Sequence, residues 1–265
     1  MAAGRFVLAA GGLETPRLLL ASRDVHSQGI GNQHDVVGRF YMCHIAGNVG
    51  LLKVDGPLSN VRHGYLVSPE GIYCRRRLSL TGEEQIRQQV GNVVARLHFP
   101  RITDPAHRNG VLSGLFLAKH FISYEYGKRL NDGVSHGLPT YAAHLFNVIK
   151  SPLYTAEFLS HWLRKRTLAE RKFPSVILKN LSNRFSLEIN AEQRPLAHSR
   201  VSLGDERDAQ GVPRLRVDWR YDPADIDSVR RSLDVMAEEF KRNGHIELTY
   251  DPAQLEEDLV RFGAL

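Results

Sequence analysis

Apolar and polar residues alternate with a period of two in several segments, and this alternation constrains the fold more than any other feature. Residues 93–99 and 185–190 carry an apolar side chain at every second position. Successive side chains of a β-strand point to opposite faces, so each segment is predicted to be a strand with one face in the core. Residues 199–203 and 215–219 follow the same pattern and are joined by the polar residues 204–211. They predict a β-hairpin, and all four segments together predict a mostly antiparallel sheet.

Helices are predicted between these strands from their start and stop signals. The Asp-Pro pair at 222–223 precedes apolar residues at helical spacing, and Gly244 ends that segment. A second Asp-Pro pair at 251–252 predicts a helix that runs through Phe262. Residues 139–172 have the pattern of two further helices. The predicted fold class is therefore α+β, a mostly antiparallel sheet with helices on one face.

The opening of the chain has a different character. The apolar run Phe6–Ala10 stops at Gly11 and Gly12, and Thr15-Pro16 then precedes a Leu-rich segment. This order predicts a buried strand, a tight turn and a helix capped by Thr15. Such an apolar strand is typical of a parallel sheet, yet no second strand-helix unit follows it. We therefore expect the strand to lack neighbours, to be exposed and to promote aggregation.

Composition excludes several classes of protein. Hydrophobic residues make up 42% and charged residues 24% of the 265 positions, which predicts a folded core rather than disorder. The two cysteines exclude a disulfide framework and a Cys-rich zinc site, so we expect a reducing, cytoplasmic compartment. The net charge of +6 is scattered in short groups and does not indicate a nucleic-acid partner. No apolar run approaches the roughly 20 residues that cross a bilayer, so no membrane span is predicted.

Motifs for other chemistries give little support. H-E-x-x-H does not occur, so no metal ligand is assigned, and no serine is assigned as a nucleophile. Glu188 and Glu192 lie in a predicted strand, and a pair of glycosidase carboxylates is the less favoured interpretation. The basic run 164–166 follows Phe158 and Trp162 on a predicted helix. That run is interpreted as a solvated helix face, with a membrane surface or a partner protein as the alternatives.

Trp219 is a candidate for either a core or a binding role. It alternates with polar residues and follows Leu215 and Val217 at a spacing of two. We predict that all three face the core against the helix after position 222. A Trp that stacks on a sugar is the alternative.

The glycine turn at Ala10–Gly12 admits two interpretations from spacing alone. A turn without bulky side chains lets a nucleotide cofactor approach the end of a strand. The full G-x-G-x-x-G pattern is absent from the chain, so an ordinary strand-helix turn is favoured on spacing alone.

Three stretches taken together resemble a known family. They are residues 6–22, residues 31–44 with their Gly-Arg-Phe-Tyr-Met-Cys-His ending, and residues 191–219. These stretches look like the glucose-methanol-choline (GMC) flavoprotein oxidoreductases. The resemblance implies that residues 1–44 are part of an FAD-binding α/β domain, of which the opening strand, turn and helix are a remnant. It implies that residues 45–265 are the substrate-binding domain.

The family's reaction defines the functional expectation. The resemblance implies oxidation of an alcohol group of a sugar or related alcohol, with hydride transfer to FAD. The backbone at Ala10, Gly11 and Gly12 is the candidate flavin contact. The family's pyrophosphate loop and catalytic His segment are expected to lie outside this sequence, so no catalytic residue is assigned. We therefore expect the chain alone to be inactive and not to hold FAD tightly, its partners being the alcohol or sugar and the missing flavin-domain segments. The alternative is a non-catalytic binding module or a relic fragment without flavin.

Overall fold

The computed structural model describes residues 4–57, 61–99, 102–119, 135–169, 178 and 182–260. In this part of the chain the fold is mixed α+β, as predicted. In chain order the elements are α1 (Gly11–Ala21), β1 (Ile45–Val54), β2 (Tyr65–Val67), β3 (Tyr73–Arg75), β4 (Leu78–Ser79), α2 (Gly82–Gln88), β5 (Val93–His98), a 3₁₀ turn (Pro105–His107), α3 (Gly110–Leu117), α4 (Leu138–Lys150), α5 (Pro152–Trp162) with a π-helical turn (Leu163–Thr167), β6 (Arg184–Ala191), β7 (Arg200–Arg207), β8 (Pro213–Asp218), α6 (Pro223–Asn243), β9 (Ile246–Thr249) and α7 (Leu255–Val260).

A five-stranded sheet in the order β4-β5-β6-β1-β9 forms the centre of the fold. Every neighbouring pair in it is antiparallel, which confirms the prediction from alternation. Phe185, Leu187 and Ile189 on β6 are completely buried and contribute to the core with Leu233 of α6 and Leu259 of α7. The sheet thus buries one face against α6 and α7.

Local signals fix the ends of α6. The Asp222 side chain accepts a hydrogen bond from Ala224 N–H, and the buried Asp225 carboxylate accepts one from Asp222 N–H. Gly244 ends the helix in the left-handed conformation at φ +75°, which a glycine adopts without steric cost. Both predicted boundaries of this helix are confirmed. The short helix α7 begins at Leu255, after a turn in which Asp251 accepts from Ala253 N–H, and Phe262 lies outside the described residues.

Gly47 lets α7 approach β1 closely. A Cβ built on Gly47 would lie 2.0 Å from the carbonyl oxygen of Asp258 and 3.0 Å from Cα of Leu259. Both are backbone atoms, so neither can rotate away. Leu259 is therefore held against the sheet at a distance that only glycine permits.

The predicted hairpin is present as a separate two-stranded sheet, β7-β8. Strand β7 extends to Arg207, so the connection is shorter than predicted. The expectation that Val217 faces the core is wrong, because its side chain is 45% exposed. Since this hairpin does not join the central sheet, α6 does not cover it as expected. Helix α1 packs on the hairpin, where Arg17 forms an ion pair with Asp208 and donates to the carbonyl of Pro213.

The opening segment differs from the prediction. Residues 4–10 form no strand, and Phe6, Val7 and Leu8 are 71%, 86% and 52% exposed. A strand needs a hydrogen-bonded neighbour, and within the described residues no segment pairs with this one. Residues 4–21 therefore do not form the strand, turn and helix that the FAD-domain remnant requires.

Helix α1 also starts earlier than predicted, at Gly11 instead of after Thr15. Pro16 lies inside the helix, and the Thr15 hydroxyl accepts from Ala10 N–H at 3.2 Å instead of capping a helix that begins after it. The prediction of a cap at Thr15 is therefore wrong.

Candidate functional site

The face of the central sheet opposite α6 and α7 carries polar side chains. Alternation places Asn48 of β1, Glu188 and Asn190 of β6, and Arg96 of β5 on this face, because their neighbours in sequence face the core. In the register, Glu188 lies opposite both Asn48 and Arg96. Three strands therefore bring an amide, a carboxylate and a guanidinium into one row.

Arg96 and Glu188 form a paired, partly buried contact. Arg96 Nε donates to Glu188 Oε2 at 2.6 Å, and a second guanidinium nitrogen donates to Oε1. Burial by itself raises the pKa of Glu188, but hydrogen bonds from Arg96 and the nearby charges of His98 and Arg75 outweigh it and hold that pKa below its usual range. Glu188 is therefore a fixed anion at neutral pH.

Asn48 has an oxygen without a partner beside this pair. Its Oδ1 atom is buried and accepts no hydrogen bond from the described residues. A buried amide oxygen without a donor is costly unless a ligand or water supplies one. This oxygen is thus a buried acceptor on the polar face that has no donor among the described residues.

A cavity of about 400 Å³ opens at the end of this face. It lies where the segment before β1 meets β5 and the end of β6. Its lining residues are Met42, Cys43, His44, Arg77, Asn92, Val94, Asn190, Glu192 and Gln193. The set offers imidazole, guanidinium, amide and carboxylate groups over a small apolar surface, which suits a ligand with several hydroxyl groups.

Gln193 holds three segments together at the wall of this cavity. Its buried Oε1 atom accepts from Cys43 N–H at 3.1 Å and from Trp219 Nε1–H at 2.8 Å. Its Nε2 atom donates to the carbonyl of Arg220. The bond to Cys43 joins the segment before β1 to the end of β6, residues that are 150 positions apart.

Glu192 is held in place by a neighbour of the same cavity. Its Oε2 atom accepts from Asn92 N–H at 3.1 Å, while Glu188 is bound to Arg96 and is not among the lining residues. The two carboxylates therefore have separate partners and separate surroundings. This arrangement gives no support to the interpretation of Glu188 and Glu192 as a catalytic pair.

Trp219 has a structural role in this region. It lies one residue beyond β8, is partly buried and packs against the main core with Ile226. The prediction that Trp219 packs against the core is confirmed, with the side chain only partly buried. It does not line the cavity, and its indole nitrogen is bound to Gln193.

The predicted flavin contacts are not among the residues that line this cavity. Ala10, Gly11 and Gly12 are exposed at the start of α1. Gly11 has φ +80°, and a Cβ on either glycine would meet nothing within 4 Å. The chain's own packing therefore gives no reason for Gly12 to lack a side chain, and the open backbone would fit the close approach of a flat cofactor.

A second polar cluster is fully buried between α3 and α4. His144 Nε2–H donates to the carbonyl of Thr103 at 3.3 Å, so its Nδ1 accepts from the Ser113 hydroxyl at 3.0 Å. Burial lowers the pKa of His144, and burial together with the charge of His144 lowers the pKa of His107 to about 4. Ser113 and His144 are both 0% exposed, so this pair cannot reach a substrate and is structural.

Sequence reasoning missed the residues of the cavity. Asn92 and Asn190 are polar residues in or beside the alternating strands, and those positions were the available signal. No signal in the sequence indicated the buried Gln193. His44 belongs to the segment that carries the family resemblance, but nothing in the sequence placed it beside β6. Among the described residues there is no group of three or more potential metal ligands, and no helix has the length and apolar character to cross a membrane.

Comparisons with known proteins leave the resemblance untested. No protein-family model matches the sequence, and no curated protein is similar enough to count as a relative.

Proposed function

We propose that this chain is the substrate-binding portion of a GMC-type flavoprotein oxidoreductase, which oxidises an alcohol group of a sugar or related alcohol. The observation that carries the proposal is the polar cavity beside Asn190 and Glu192, at the point where residues 31–44 enter the sheet. That segment is one of the three that resemble the family. The proposal thus joins a motif of the sequence to a cavity with the right chemistry for hydroxyl groups.

The chain's own residues would bind and orient the alcohol. The Asn190 amide and the Glu192 carboxylate supply acceptors for hydroxyl groups, and Arg77 supplies a donor. Met42 and Val94 supply apolar surface for the carbon skeleton. FAD, when bound, would accept the hydride, and the open backbone of Ala10–Gly12 is where this chain would lie against it.

Ligand binding by the purified chain tests the proposal. Saturation-transfer NMR with D-glucose and with benzyl alcohol should show contact with at least one of the two, and Asn190→Ala should abolish it. Asn243→Ala, an exposed change at the end of α6, is the matched control and should leave binding unchanged. Absence of transfer to both probes, or equal loss in both variants, would refute a substrate site in this cavity.

A second candidate function is a non-catalytic binding module. The exposed apolar side chains of α4 and α5 favour it, since Leu145, Ile149 and Leu153 are 52%, 66% and 85% exposed. This function predicts that the cavity variants leave every binding activity of the chain unchanged. The same NMR comparison therefore separates the two functions.

A further inference from the structure

A second cavity, of about 790 Å³, lies between the 3₁₀ turn, one face of α4 and the start of β6. Arg108 follows the turn, Lys150 and Phe146 come from α4, and Arg184 begins β6. None of its lining residues lines the cavity proposed for the alcohol. It is therefore a separate site, and the inference below does not depend on the proposed function.

The charges of this cavity all have one sign. Three of its lining residues are cationic and none is acidic. Within the described part of the chain, neither Arg108 nor Lys150 has a carboxylate within ion-pair distance. The nearby Asp104 carboxylate accepts a hydrogen bond from Ala106 N–H at its Oδ1 atom, at 2.8 Å. Arg184 has contacts of its own, so the argument depends on Arg108 and Lys150. Two unpaired cations at one cavity repel each other unless an anion lies between them.

The cavity is held in shape by its own framework. The Asn147 amide donates to the carbonyl of Pro105 at 2.8 Å and to the Ser113 hydroxyl at 3.2 Å, which fixes the turn to α4. Arg108 ends the turn with φ +54°, and its N–H bonds to Pro105. These bonds place the Cα atom of Arg108 beside α4 before any ligand is present, which reduces the entropy lost on binding.

Apolar surface adjoins the cations. The Lys150 ammonium lies 4.4 Å from the centre of the Phe146 ring, and the Phe146 side chain is 55% exposed. On the neighbouring face of α4, Leu145 and Ile149 are also exposed. A ligand that fits both features has an anionic group for the cavity and a carbon body for the helix surface.

We propose that this cavity binds the phosphate group of a phosphate ester. Arg108 and Lys150 line one cavity, and their guanidinium and ammonium groups match the charge and the several acceptor oxygens of phosphate. The phosphate could belong to a soluble ester or to a phospholipid headgroup, and the experiment distinguishes these sources.

Calorimetric titration at low ionic strength with glycerol 3-phosphate, a soluble phosphate ester, tests the soluble source. Sedimentation with phosphatidylglycerol vesicles, compared with phosphatidylcholine vesicles, tests the lipid source. The double variant Arg108→Gln/Lys150→Gln should weaken binding to the probe that the chain prefers by about tenfold or more, since it removes two charged donors. Arg5→Gln/Arg76→Gln removes the same charge from exposed sites elsewhere and should change binding less than twofold.

Each outcome decides the proposal. Binding of a soluble ester, or of phosphatidylglycerol vesicles alone, supports it when the double variant loses that binding and the control retains it. Arg108→Lys/Lys150→Arg keeps both charges and should retain binding, which separates a charge effect from misfolding. Absence of binding to all probes overturns the proposal, as does equal weakening in the control.

Discussion

Replacement of Gln193 by alanine tests whether the hydrogen bonds of this side chain stabilise the wall of the candidate site. The change removes three hydrogen bonds, to Cys43 N–H, Trp219 Nε1–H and the carbonyl of Arg220. Net contributions of about 1 kcal/mol each give about 3 kcal/mol. Because Cys43 is exposed and its N–H can be rehydrated, we expect a loss of about 2–3 kcal/mol in the free energy of unfolding.

Urea unfolding followed by far-UV circular dichroism measures this loss, with an unchanged m-value showing that the same surface unfolds. Gln210→Ala, at an exposed position in the β7-β8 connection, is the matched control and should be neutral. In a double-mutant cycle, Gln193→Ala and Trp219→Phe should couple by about 1 kcal/mol, because both remove the same bond. A Gln193→Ala protein as stable as the wild type would refute the stabilising role of these three hydrogen bonds.

Three further predictions concern other parts of the molecule. Burial lowers the pKa of His107 to about 4, so the unfolded chain binds a proton at this imidazole more tightly than the folded chain does. The stability that neutral His107 contributes is full above the ordinary pKa of about 6.5 and is lost as the pH falls toward 4. His107→Asn should therefore reduce the slope of unfolding free energy against pH between these two values. Gly47→Ala should cost about 3 kcal/mol in urea unfolding, since its Cβ would meet the backbone of α7, while Gly12→Ala should change stability by less than about 1 kcal/mol. Serine at all three of residues 6–8 should slow aggregation in light scattering without altering the melting temperature, because these side chains are exposed; an unchanged rate would show that they do not drive association.

Two adjacent strands of the central sheet could be predicted from sequence. Strands β5 and β6 follow from alternation within residues 93–99 and 185–190, and Ala95 and Leu187 are buried as that pattern requires. The boundaries of α6 follow from Asp222 and Gly244. These signals depend on neighbouring residues, so the sequence contains them in readable form.

Two of the wrong predictions depended on partners that are distant in the sequence. The apolar run at residues 6–10 has the composition of a buried strand, but strand formation depends on a neighbour that the described structure does not provide. Val217 fits the alternation of an inward position, but its hairpin lies apart from the sheet that α6 covers. In both cases the local pattern favoured a buried strand position, but the neighbouring elements in the folded structure determined whether the residues were buried.

The sequence by itself determined which face of β5 and of β6 is apolar and where the capped helix begins and ends, since these depend on side-chain period and on contacts within one turn. Only the tertiary structure determined the candidate site, because Cys43 and Asn92 meet Gln193 and Glu192 across 150 and 100 positions through strand register. Register is a property of paired strands and cannot be read from either strand alone.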